Sequence, residues 1–449
     1  MTSNIDNIII PKNADKIINL LNSKGHKAYV VGGCVRDYIL GKNGGDVDIT
    51  TSAKPIVIEQ ILTEQGIKVV ETGLKHGTVT AIIDSEQYEI TTFRKDGEYE
   101  DNRHPQNVLF VDDVKEDLSR RDFTINAMAY NHSDGIVDLF GGKEDINNKL
   151  IRAVGNPNKR FNEDALRIMR AIRFSSVLGF EIEKETKKAV FDNKELLKNV
   201  SVERLYVELI KLLLGDNVLN VLSEYKDVIA VIIPELKQTF NCEQNTPWHI
   251  YNVYDHIINA VNYAPKNEVI RLTMLLHDIG KPLVKTTDSK GIDHFKTHAA
   301  AGAEIAKSVL KRFNVSNKIF DEVTTLVYYH QSIENVEKVK VKRWLSKLGE
   351  EYARDLFLVR IADLKAHNVV KTDYEIKMMY SFLEELDEII ARGDAVKISD
   401  LAVNGNDIKS LGYNGVEIGQ KLNEILSLVV DDKLINDKNI IIKYIISNK

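Results

Sequence analysis

The chain is short of the residues and runs that mark secreted, membrane and disordered proteins. Its only cysteines, Cys34 and Cys242, are too few for a disulfide framework and lack CxxC spacing, which indicates a reducing compartment. With 8 Pro and 25 Gly it is not a collagen-like or low-complexity chain. No run approaches the roughly 20 apolar residues of a membrane span, and the start, MTSNIDNIIIPKNADK, lacks the basic region of a signal peptide. We therefore expect a cytoplasmic protein.

The chain also lacks an excess of positive charge. Its 60 Lys and Arg residues are opposed by 66 Asp and Glu residues, which gives a formal net charge of −6. Bulk charge is therefore excluded as a source of affinity for nucleic acid. A nucleic-acid role requires local basic patches.

What the chain does have is length and a change of pattern near residue 150. Its 449 residues suffice for several domains. Between about 25 and 140, short β-branched runs alternate with helical stretches, whereas after about 150 apolar residues recur at three- and four-residue spacing. We expect an α+β chain, with a mixed sheet in residues 1–150 and helical domains at 151–225, 226–400 and 401–449. The expected strands are Ala28–Val31, Asp46–Thr50, Thr78–Asp84 and Tyr88–Arg94.

The first motif with chemical meaning is YVVGGCVRD at 29–37. An apolar strand runs into Gly32 and Gly33, and Arg36 follows on the first turn of an expected helix. Glycines let the backbone approach a phosphate closely, and a helix N-terminus favours negative charge. A Gly-Gly pair is also common in tight turns without function, so this motif alone does not identify a site.

The second motif, GDVDIT at 45–50, places Asp46 and Asp48 two residues apart. On a strand they would share one face while Val47 and Ile49 point into the core. Adjacent carboxylates repel each other unless a cation lies between them, and divalent ions prefer such oxygen ligands. Glu89, in YEITTFR, is a candidate third carboxylate from a neighbouring strand. The alternative is a solvated strand end.

Two charged segments follow. RKDGEYEDNRHP at 94–105 has no periodicity, and we expect a mobile charged loop. SRRDFTINAMAY at 119–130 is expected to form a helix capped by Ser119, with Arg120 and Arg121 facing outward. Arginine suits a triphosphate because its planar fork makes paired hydrogen bonds.

The segment NEDALRIMRAIRF at 162–174 carries the signal for base recognition. Asp164, Arg167, Arg170 and Arg173 recur every three residues as a polar row, and an apolar stripe lies behind them. An Asp accepts a hydrogen bond from an exocyclic amine and an Arg donates to a ring nitrogen, so this pair would admit C and A and refuse U and G. A solvated amphipathic face is the alternative.

Together these segments resemble the class II CCA-adding tRNA nucleotidyltransferases, of the polymerase-β-like nucleotidyltransferase superfamily. The resemblance rests on GGCVRD, GDVDIT, RKDGEYEDNRHP, RRDFTINAM, DLFGGKEDI and EDALRIMRAIRF in this order, and on the tail-like stretch at 401–426. It implies a template-independent enzyme that adds C, C and A to the tRNA 3′ end from CTP and ATP and releases pyrophosphate.

The resemblance also implies an architecture and residue roles. Residues 1–150 would form the nucleotidyltransferase head, 151–225 the base-recognising neck, 226–400 the body and 401–449 a tRNA-binding tail. The implied roles are nucleotide binding by Gly33 and Arg36, Mg²⁺ binding by Asp46 and Asp48, triphosphate contact by Arg121, base reading by Asp164 and Arg167, and completion of the nucleotide site by Arg170 and Arg173.

A second candidate site lies among the histidines, six of which, out of 11, fall between 249 and 330. His256, the pair His277-Asp278 and the distant Asp363 follow the order of the HD metal-dependent phosphohydrolases. Clustered imidazoles and carboxylates suit Mn²⁺ or Ni²⁺. His298 and His330 leave room for a second ion. Relatives of the family also carry this domain in degenerate form, so the sequence leaves its activity open.

Four rival functions remain from the sequence. An A-adding enzyme, a CC-adding enzyme or a poly(A) polymerase would use the same head, although a CC-only enzyme is expected to lack the loop at 94–105. An HD phosphohydrolase with a nucleotide-sensing head is disfavoured by the helix EDALRIMRAIRF. The oligomeric state is not predicted.

Overall fold

The computed structural model describes residues 8–42, 45–74, 77–97, 108–333 and 340–448. The chain divides into two compact units, Met1–Ile232 and Ile233–Lys449. No helix within these described ranges is long and apolar enough to cross a bilayer.

The first unit contains a mixed seven-stranded sheet with the order β3-β4-β5-β2-β1-β8-β9. Its neighbours are antiparallel except β2 and β5, which run parallel. The strands in the middle of the sheet are more buried than the edge strands β3 and β9, and β1 is buried along its whole length. The strands are β1 (Ala28–Val31), β2 (Asp48–Thr51), β3 (Lys68–Gly73), β4 (Thr78–Ile83), β5 (Glu86–Thr92), β8 (Met128–Asn131) and β9 (Gly135–Asp138), with a separate pair β6 (Arg94–Asp96) and β7 (Val108–Phe110).

Helices cover this sheet and continue beyond it as a helical layer. α7 buries Ile168, Met169 and Ile172, the apolar stripe that its spacing predicts. The helices are α1 (Lys12–Ser23), α2 (Gly33–Ile39), α3 (Pro55–Thr63), α4 (Val114–Ser119), α5 (Gly142–Asn147), α6 (Pro157–Glu163), α7 (Leu166–Leu178), α8 (Lys184–Asn193), α9 (Val202–Leu213), α10 (Val218–Glu224) and α11 (Lys226–Ile232), and two short strands, β10 (Leu150–Ile151) and β11 (Glu181–Ile182), pair between them.

Where the second unit is described, its regular structure is helical apart from one small hairpin, β12 (Thr286–Thr287) and β13 (Asp293–His294). Its last helices have their own core, in which Ile408, Ile425 and Ile441 are fully buried. The helices are α12 (Val253–Tyr263), α13 (Glu268–Leu276), α14 (Lys281–Val284), α15 (His298–Arg312), α16 (Asn317–Tyr329), α17 (Val341–Leu348), α18 (Glu350–Lys365), α19 (Val369–Arg392), α20 (Gly405–Ser410), α21 (Val416–Val430) and α22 (Lys438–Ser447).

The expected α+β class is confirmed: a mixed sheet lies in the N-terminal part and helices follow. The strand expected at Ala28–Val31 has its observed bounds. The expected strand at Asp46–Thr50 was wrong at its start, because β2 begins at Asp48 and Asp46 lies in the preceding loop. The finer domain boundaries near 150, 225 and 400 stay predictions.

The helix expected at 119–130 was also wrong. Ser119 ends α4, a 3₁₀ turn covers Thr124–Asn126, and β8 follows. The reason is a local competition for backbone donors: the Asp122 carboxylate accepts a hydrogen bond from the backbone N–H of Phe123 at 2.8 Å, which holds the chain outside a helix. The start of the charged segment forms β6, and its remainder, 98–105, lies outside the described residues.

Candidate active and metal-binding sites

The Gly-Gly turn after β1 adjoins the first residue of β2. Gly32 has φ +83°, and a Cβ there would lie 2.9 Å from Nη1 of Arg121, so only glycine fits without strain and displacement. Val31, just before the turn, is the antiparallel partner of Asp48. The turn, Arg121 and Asp48 therefore lie together where the central strand β1 ends and β2 begins.

Asp46 and Glu89 lie near enough to Asp48 for their charges to raise its pKa, and we call these three residues the head site. All three are exposed. β2 and β5 pair in parallel with Ile49 opposite Ile90, so Asp48 and Glu89 are neighbours one residue before that pair. Loss of solvent raises the pKa of Asp48, the negative charge of Glu89 raises it further, and Arg121 opposes them. Carboxylates that repel one another in this way fit a divalent cation with oxygen ligands.

Arg120 and Arg121 differ in how the protein holds them. The buried Asp117 carboxylate accepts two hydrogen bonds from Arg120, at 2.9 and 2.8 Å, but only a long one from Arg121, at 3.4 Å. Burial alone would raise the pKa of Asp117, but the two guanidinium groups outweigh it and lower that pKa. Arg121 also has a buried Nε with no hydrogen-bond partner among the described residues. Arg121 therefore keeps donors for an anion beside Asp48.

A buried polar chain joins α2 to α7. Arg36 donates from Nη1 to Oδ1 of Asn126 at 2.7 Å, and Asn126 donates to Oδ1 of Asp122 at 3.1 Å. Oδ2 of Asp122 accepts from Nε and Nη2 of Arg170 at 2.8 and 2.6 Å. Burial would raise the pKa of Asp122, but the charge of Arg170 holds it well below its ordinary value. This chain of hydrogen bonds fixes α2, which follows β1, relative to the polar face of α7 within the first unit.

Arg173 and Arg170 also share partners on the other side. Arg173 donates from Nε to Oε2 of Glu208 at 2.8 Å, and Arg170 lies 3.5 Å from the other oxygen of Glu208. The guanidinium carbon of Arg173 lies 3.6 Å from the ring centre of Phe174, and that of Arg36 lies 5.1 Å from the same ring. The arginine row is therefore an organised cluster and not a solvated helix face.

Asp164 and Arg167 are three residues apart in sequence but have different partners. Asp164 is extended between α6 and α7, and Nη2 of Arg204 lies 3.1 Å from its Oδ2. Arg167 is buried and donates to Oε2 of Glu163 and to the backbone oxygen of Arg120, both at 2.9 Å. The expectation of one helical row was therefore wrong at Asp164, which precedes the helix.

In the second unit, His256, His277 and Asp363 bring their ligand atoms together in the interior. Nε2 of His256 lies 2.9 Å from Oδ1 of Asp363 and 3.2 Å from Nε2 of His277. All three residues are buried. They form a group whose ligand atoms lie within 4.8 Å of one another.

Asp278, His298 and His330 form a second such group. Oδ1 of Asp278 lies 3.3 Å from Nε2 of His298 and 3.7 Å from Nε2 of His330, while its Oδ2 lies 3.2 Å from Nε2 of His277. One carboxylate therefore bridges both groups. We call the six residues the HD cluster (His256, His277, Asp278, His298, His330 and Asp363).

The hydrogen bonds around the HD cluster favour metal binding. Nδ1 of His277, of His298 and of His330 each lies 2.7 Å from a backbone carbonyl oxygen, which leaves Nε2 of each ring as the lone-pair atom. Both Asp278 oxygens are buried without a well-aligned hydrogen bond from the described residues. Buried acceptors that face one another are costly unless a cation lies between them, so the donor set fits one or two metal ions.

A glycine explains how His298 reaches Asp278. A Cβ on Gly280 would lie 2.4 Å from the backbone nitrogen of Gly302 and 2.5 Å from the backbone oxygen of His298. A side chain at Gly280 would therefore push α15 away. The Gly in HDIGK sets the approach of the helix that carries a donor.

The sequence reasoning missed three residues beside the HD cluster. Lys281 is buried, and its Nζ lies 2.6 Å from Oδ2 of Asp278 and 3.1 Å from Nε2 of His249. His249 and His367 form a third close group with His256. The spacing of three residues from Asp278 to Lys281, which the turn between α13 and α14 brings together, could have indicated Lys281, whereas no local pattern brings His367 to His249.

The HD cluster opens on a cavity of about 390 Å³. Its donors line one part of the wall. The rest of the wall includes aromatic and cationic side chains, among them Trp248, Phe295, Lys281, Lys296 and Arg360.

Family models match three stretches of the chain. Residues 28–152 match the poly A polymerase head domain, and residues 249–366 match the HD domain. Residues 179–239 match the probable RNA and SrmB-binding site of polymerase A.

Relatives match almost the whole chain. The CCA-adding enzyme of Oceanobacillus iheyensis is 34% identical over 447 residues, which are 97% of each chain. That of Lactobacillus helveticus is 32% identical over 431 residues, 96% of this chain and 95% of its own. The crystal structure of the Bacillus stearothermophilus CCA-adding enzyme in complex with CTP aligns with a TM-score of 0.76 and 30% identity over 98% of both chains.

Proposed function

Because this chain belongs to the family of CCA-adding enzymes, we propose that it adds C, C and A to the 3′ end of tRNA. The nucleotides come from CTP and ATP, pyrophosphate is released, and no nucleic-acid template is used. The observation that carries this proposal is the end-to-end match with relatives, in a chain that has Asp48 beside the Gly-Gly turn and Glu89 on the neighbouring strand.

We assign catalysis and phosphate binding to the head site and the residues around it. Asp46 and Asp48, with Glu89 as a further ligand, would hold Mg²⁺, because exposed carboxylate oxygens are its preferred protein ligands. When bound there, Mg²⁺ supplies the charge that activates the tRNA 3′-hydroxyl and neutralises the leaving pyrophosphate. Arg121 holds the triphosphate through its spare donors. Gly33 and Arg36 bind the nucleotide at the start of α2.

We assign base selection to the polar residues at the start of α7. Asp164 accepts from the exocyclic amine of C or A, and Arg204, which donates to its Oδ2 at 3.1 Å, orients that carboxylate. The described residues engage three of the five N–H donors of Arg167, so its guanidinium is fixed while two donors remain for a ring nitrogen. Arg170 and Arg173 hold the ribose and phosphate side of the site through the network of Asp122 and Glu208.

Product length separates this proposal from its rivals. The protein is incubated with Mg²⁺ and tRNA that ends at the discriminator base, with CTP, with ATP or with both, and the products are sized on a gel. Three added residues with both nucleotides support CCA addition. One A indicates an A-adding enzyme, two C a CC-adding enzyme, and a long A ladder a poly(A) polymerase.

The HD cluster supports a second function, a metal-dependent phosphohydrolase. Its two buried donor groups, bridged by Asp278, favour Mn²⁺ or Ni²⁺ over Mg²⁺ because four of the six donors are imidazoles. A bound ion would polarise a phosphoryl oxygen and activate water. Lys281, beside the bridging carboxylate, would hold the phosphate of a substrate such as a 2′,3′-cyclic phosphate at an RNA end. Hydrolysis of such esters after addition of Mn²⁺ or Ni²⁺ tests it.

Three further proposals follow from the family. The head, neck, body and tail occupy 1–150, 151–225, 226–400 and 401–449. The tail binds tRNA, and the protein acts in the cytoplasm. A truncation that ends at residue 400 should weaken tRNA binding in a gel-shift assay if the tail contributes to it.

A further inference from the structure

The cavity beside the HD cluster has a second side that metal binding does not explain. Trp248 and Phe295 line it, together with Lys281 and Lys296. A bare phosphate would need the metal donors and a cation only. Aromatic rings in the same cavity indicate a ligand that also has a flat apolar part.

Trp248 is placed as a binding residue and not as a core residue. It is 48% exposed. Its backbone oxygen accepts a hydrogen bond from the backbone N–H of Asn368 at 2.9 Å, so its main chain is fixed where the residue lines the cavity. Nζ of Lys371 lies 5.6 Å from the ring centre. An exposed indole with a fixed backbone and a nearby cation is suited to stack a ring next to an anion.

The chain has one other tryptophan, which serves as a comparison. Trp344 on α17 is less exposed and packs against Tyr329, with ring centres 5.7 Å apart, and Lys347 lies 5.2 Å from its ring. Trp344 does not line the HD cavity. Of the two indoles, Trp248 is therefore the one offered to a ligand.

We propose that Trp248 is the base-stacking residue of the HD cavity, and that this cavity binds a nucleoside phosphate with its phosphate at the HD cluster and its base on the indole. The proposal rests on the phosphohydrolase function proposed above. A cavity of about 390 Å³ lies in the usual range of small-molecule sites, about 300–1,000 Å³. Lys281 and Lys296 supply the positive charge for the phosphate.

The stacking role is tested by fluorescence without any need for turnover. Both tryptophans belong to the second unit, whereas the head site belongs to the first. The variant Trp344→Phe leaves Trp248 as the only reporter. It is titrated with adenosine 2′-monophosphate and, separately, with ribose 5-phosphate, which has a phosphate but no base.

Saturable quenching by the nucleotide and none by ribose 5-phosphate is expected. The variant Trp248→Phe, in which Trp344 remains, should respond to neither. Equal quenching in both variants, or none in Trp344→Phe, would overturn the proposal. A second titration uses an RNA oligonucleotide that ends in a 2′,3′-cyclic phosphate. If the oligonucleotide quenches at a lower concentration than the mononucleotide does, the ligand is an RNA end. If the mononucleotide quenches at the lower concentration, the ligand is a free nucleotide.

Hydrolysis separates failure of this proposal from failure of the phosphohydrolase function. Trp248→Leu should raise KM for adenosine 2′,3′-cyclic phosphate about tenfold with Mn²⁺ or Ni²⁺, because a lost base stack weakens binding by about that factor. It should leave glycerol 1,2-cyclic phosphate hydrolysis unchanged, and Trp248→Phe should restore much of the loss. Equal effects on both esters contradict stacking. Hydrolysis of neither ester by the unaltered protein contradicts the phosphohydrolase function, while the fluorescence titration still decides the binding role.

Discussion

The head site and the HD cluster both gather acidic side chains, yet they differ in almost every physical respect. The head carboxylates, Asp46, Asp48 and Glu89, are exposed at the end of a sheet. The HD donors are buried, and four of the six are imidazoles. Exposed oxygens suit an ion that keeps several waters and leaves with its nucleotide, whereas buried imidazoles suit an ion that stays.

The two sites also differ in how a substitution changes the stability of the fold. Like charges at the head site repel, so a substitution there relieves strain. At the HD cluster the donors are buried, and Asp278 lies 2.6 Å from Nζ of the buried Lys281, so removal of that carboxylate leaves a buried charge behind. Loss of activity and loss of stability should therefore be separable at the first site and linked at the second.

The largest expected effect is at the head site. Asp46→Ala and Asp48→Ala should each lower kcat for nucleotide addition by about 10³ or more, because charge placed for the transition state is lost. The melting temperature should stay near that of the unaltered protein, since both residues are exposed. Asp192→Ala, at another exposed Asp of the same unit, is the control. More than a tenth of the original kcat in either head variant would refute the metal role.

The HD cluster should respond in the opposite way. His277→Ala combined with Asp278→Ala should erase hydrolysis and bound transition metal, measured by elemental analysis, and leave CCA addition near its original rate. Removal of Asp278 leaves Lys281 buried without its carboxylate, a cost of about 3–5 kcal/mol, so folding is checked by circular dichroism.

A milder variant keeps this test decisive if the double variant unfolds. His298→Gln removes one donor of the second group and no charge, so the protein should fold and hold about half the metal. Unaltered protein without transition metal, and without hydrolysis when Mn²⁺ or Ni²⁺ is added, would mean that the domain is a scaffold.

Base selection should show an intermediate effect. Asp164→Ala removes the acceptor for the exocyclic amine, and loss of a charged hydrogen bond costs about 1.5–3 kcal/mol, so discrimination against UTP and GTP should fall about 10- to 100-fold. The ratio of kcat/KM for CTP to that for UTP measures it. A variant that loses activity on CTP and ATP without any relative gain on UTP would show that Asp164 is structural.

Local pattern was sufficient where a strand or helix is decided by its own side chains. β1 has its expected bounds because four apolar residues precede a Gly-Gly turn, and α7 buries its expected stripe. The prediction of a helix at 119–130 was wrong because one side chain, Asp122, competes for a backbone donor. Spacing alone does not reveal that competition.

The sites were predictable where their residues form a local motif or follow the order of a known family. Asp46, Asp48 and the pair His277-Asp278 were found as motifs, and the distant Asp363 was found from the order of residues in HD phosphohydrolases. Distant partners without such an order were missed: Asp122 and Arg170 are 48 residues apart, and no periodicity relates them. The same limit applies to His249 and His367 in the HD cavity, which depend on the packing of separate elements.

The smallest expected effect is a pH dependence confined to the second unit. Glu322 on α16 is buried, and its carboxyl group hydrogen-bonds with that of Asp355 on α18. Burial raises the pKa of Glu322 to about 7, and the charges of Asp355 and Glu351 add to this while Lys318 opposes it. The folded state thus holds a proton that the unfolded chain releases near the ordinary carboxyl pKa.

The sign follows from proton linkage. This proton stabilises the second unit fully below the ordinary carboxyl pKa, and the contribution is lost as the pH rises through about 7. Both tryptophans lie in this unit, so urea unfolding followed by tryptophan fluorescence reports on it. The urea concentration at the unfolding midpoint should decrease as the pH is raised from 5.5 to 8. Glu322→Gln keeps the hydrogen bond without the titrating group, so its midpoint should depend less on pH. An unchanged slope in Glu322→Gln would show that another group carries the proton.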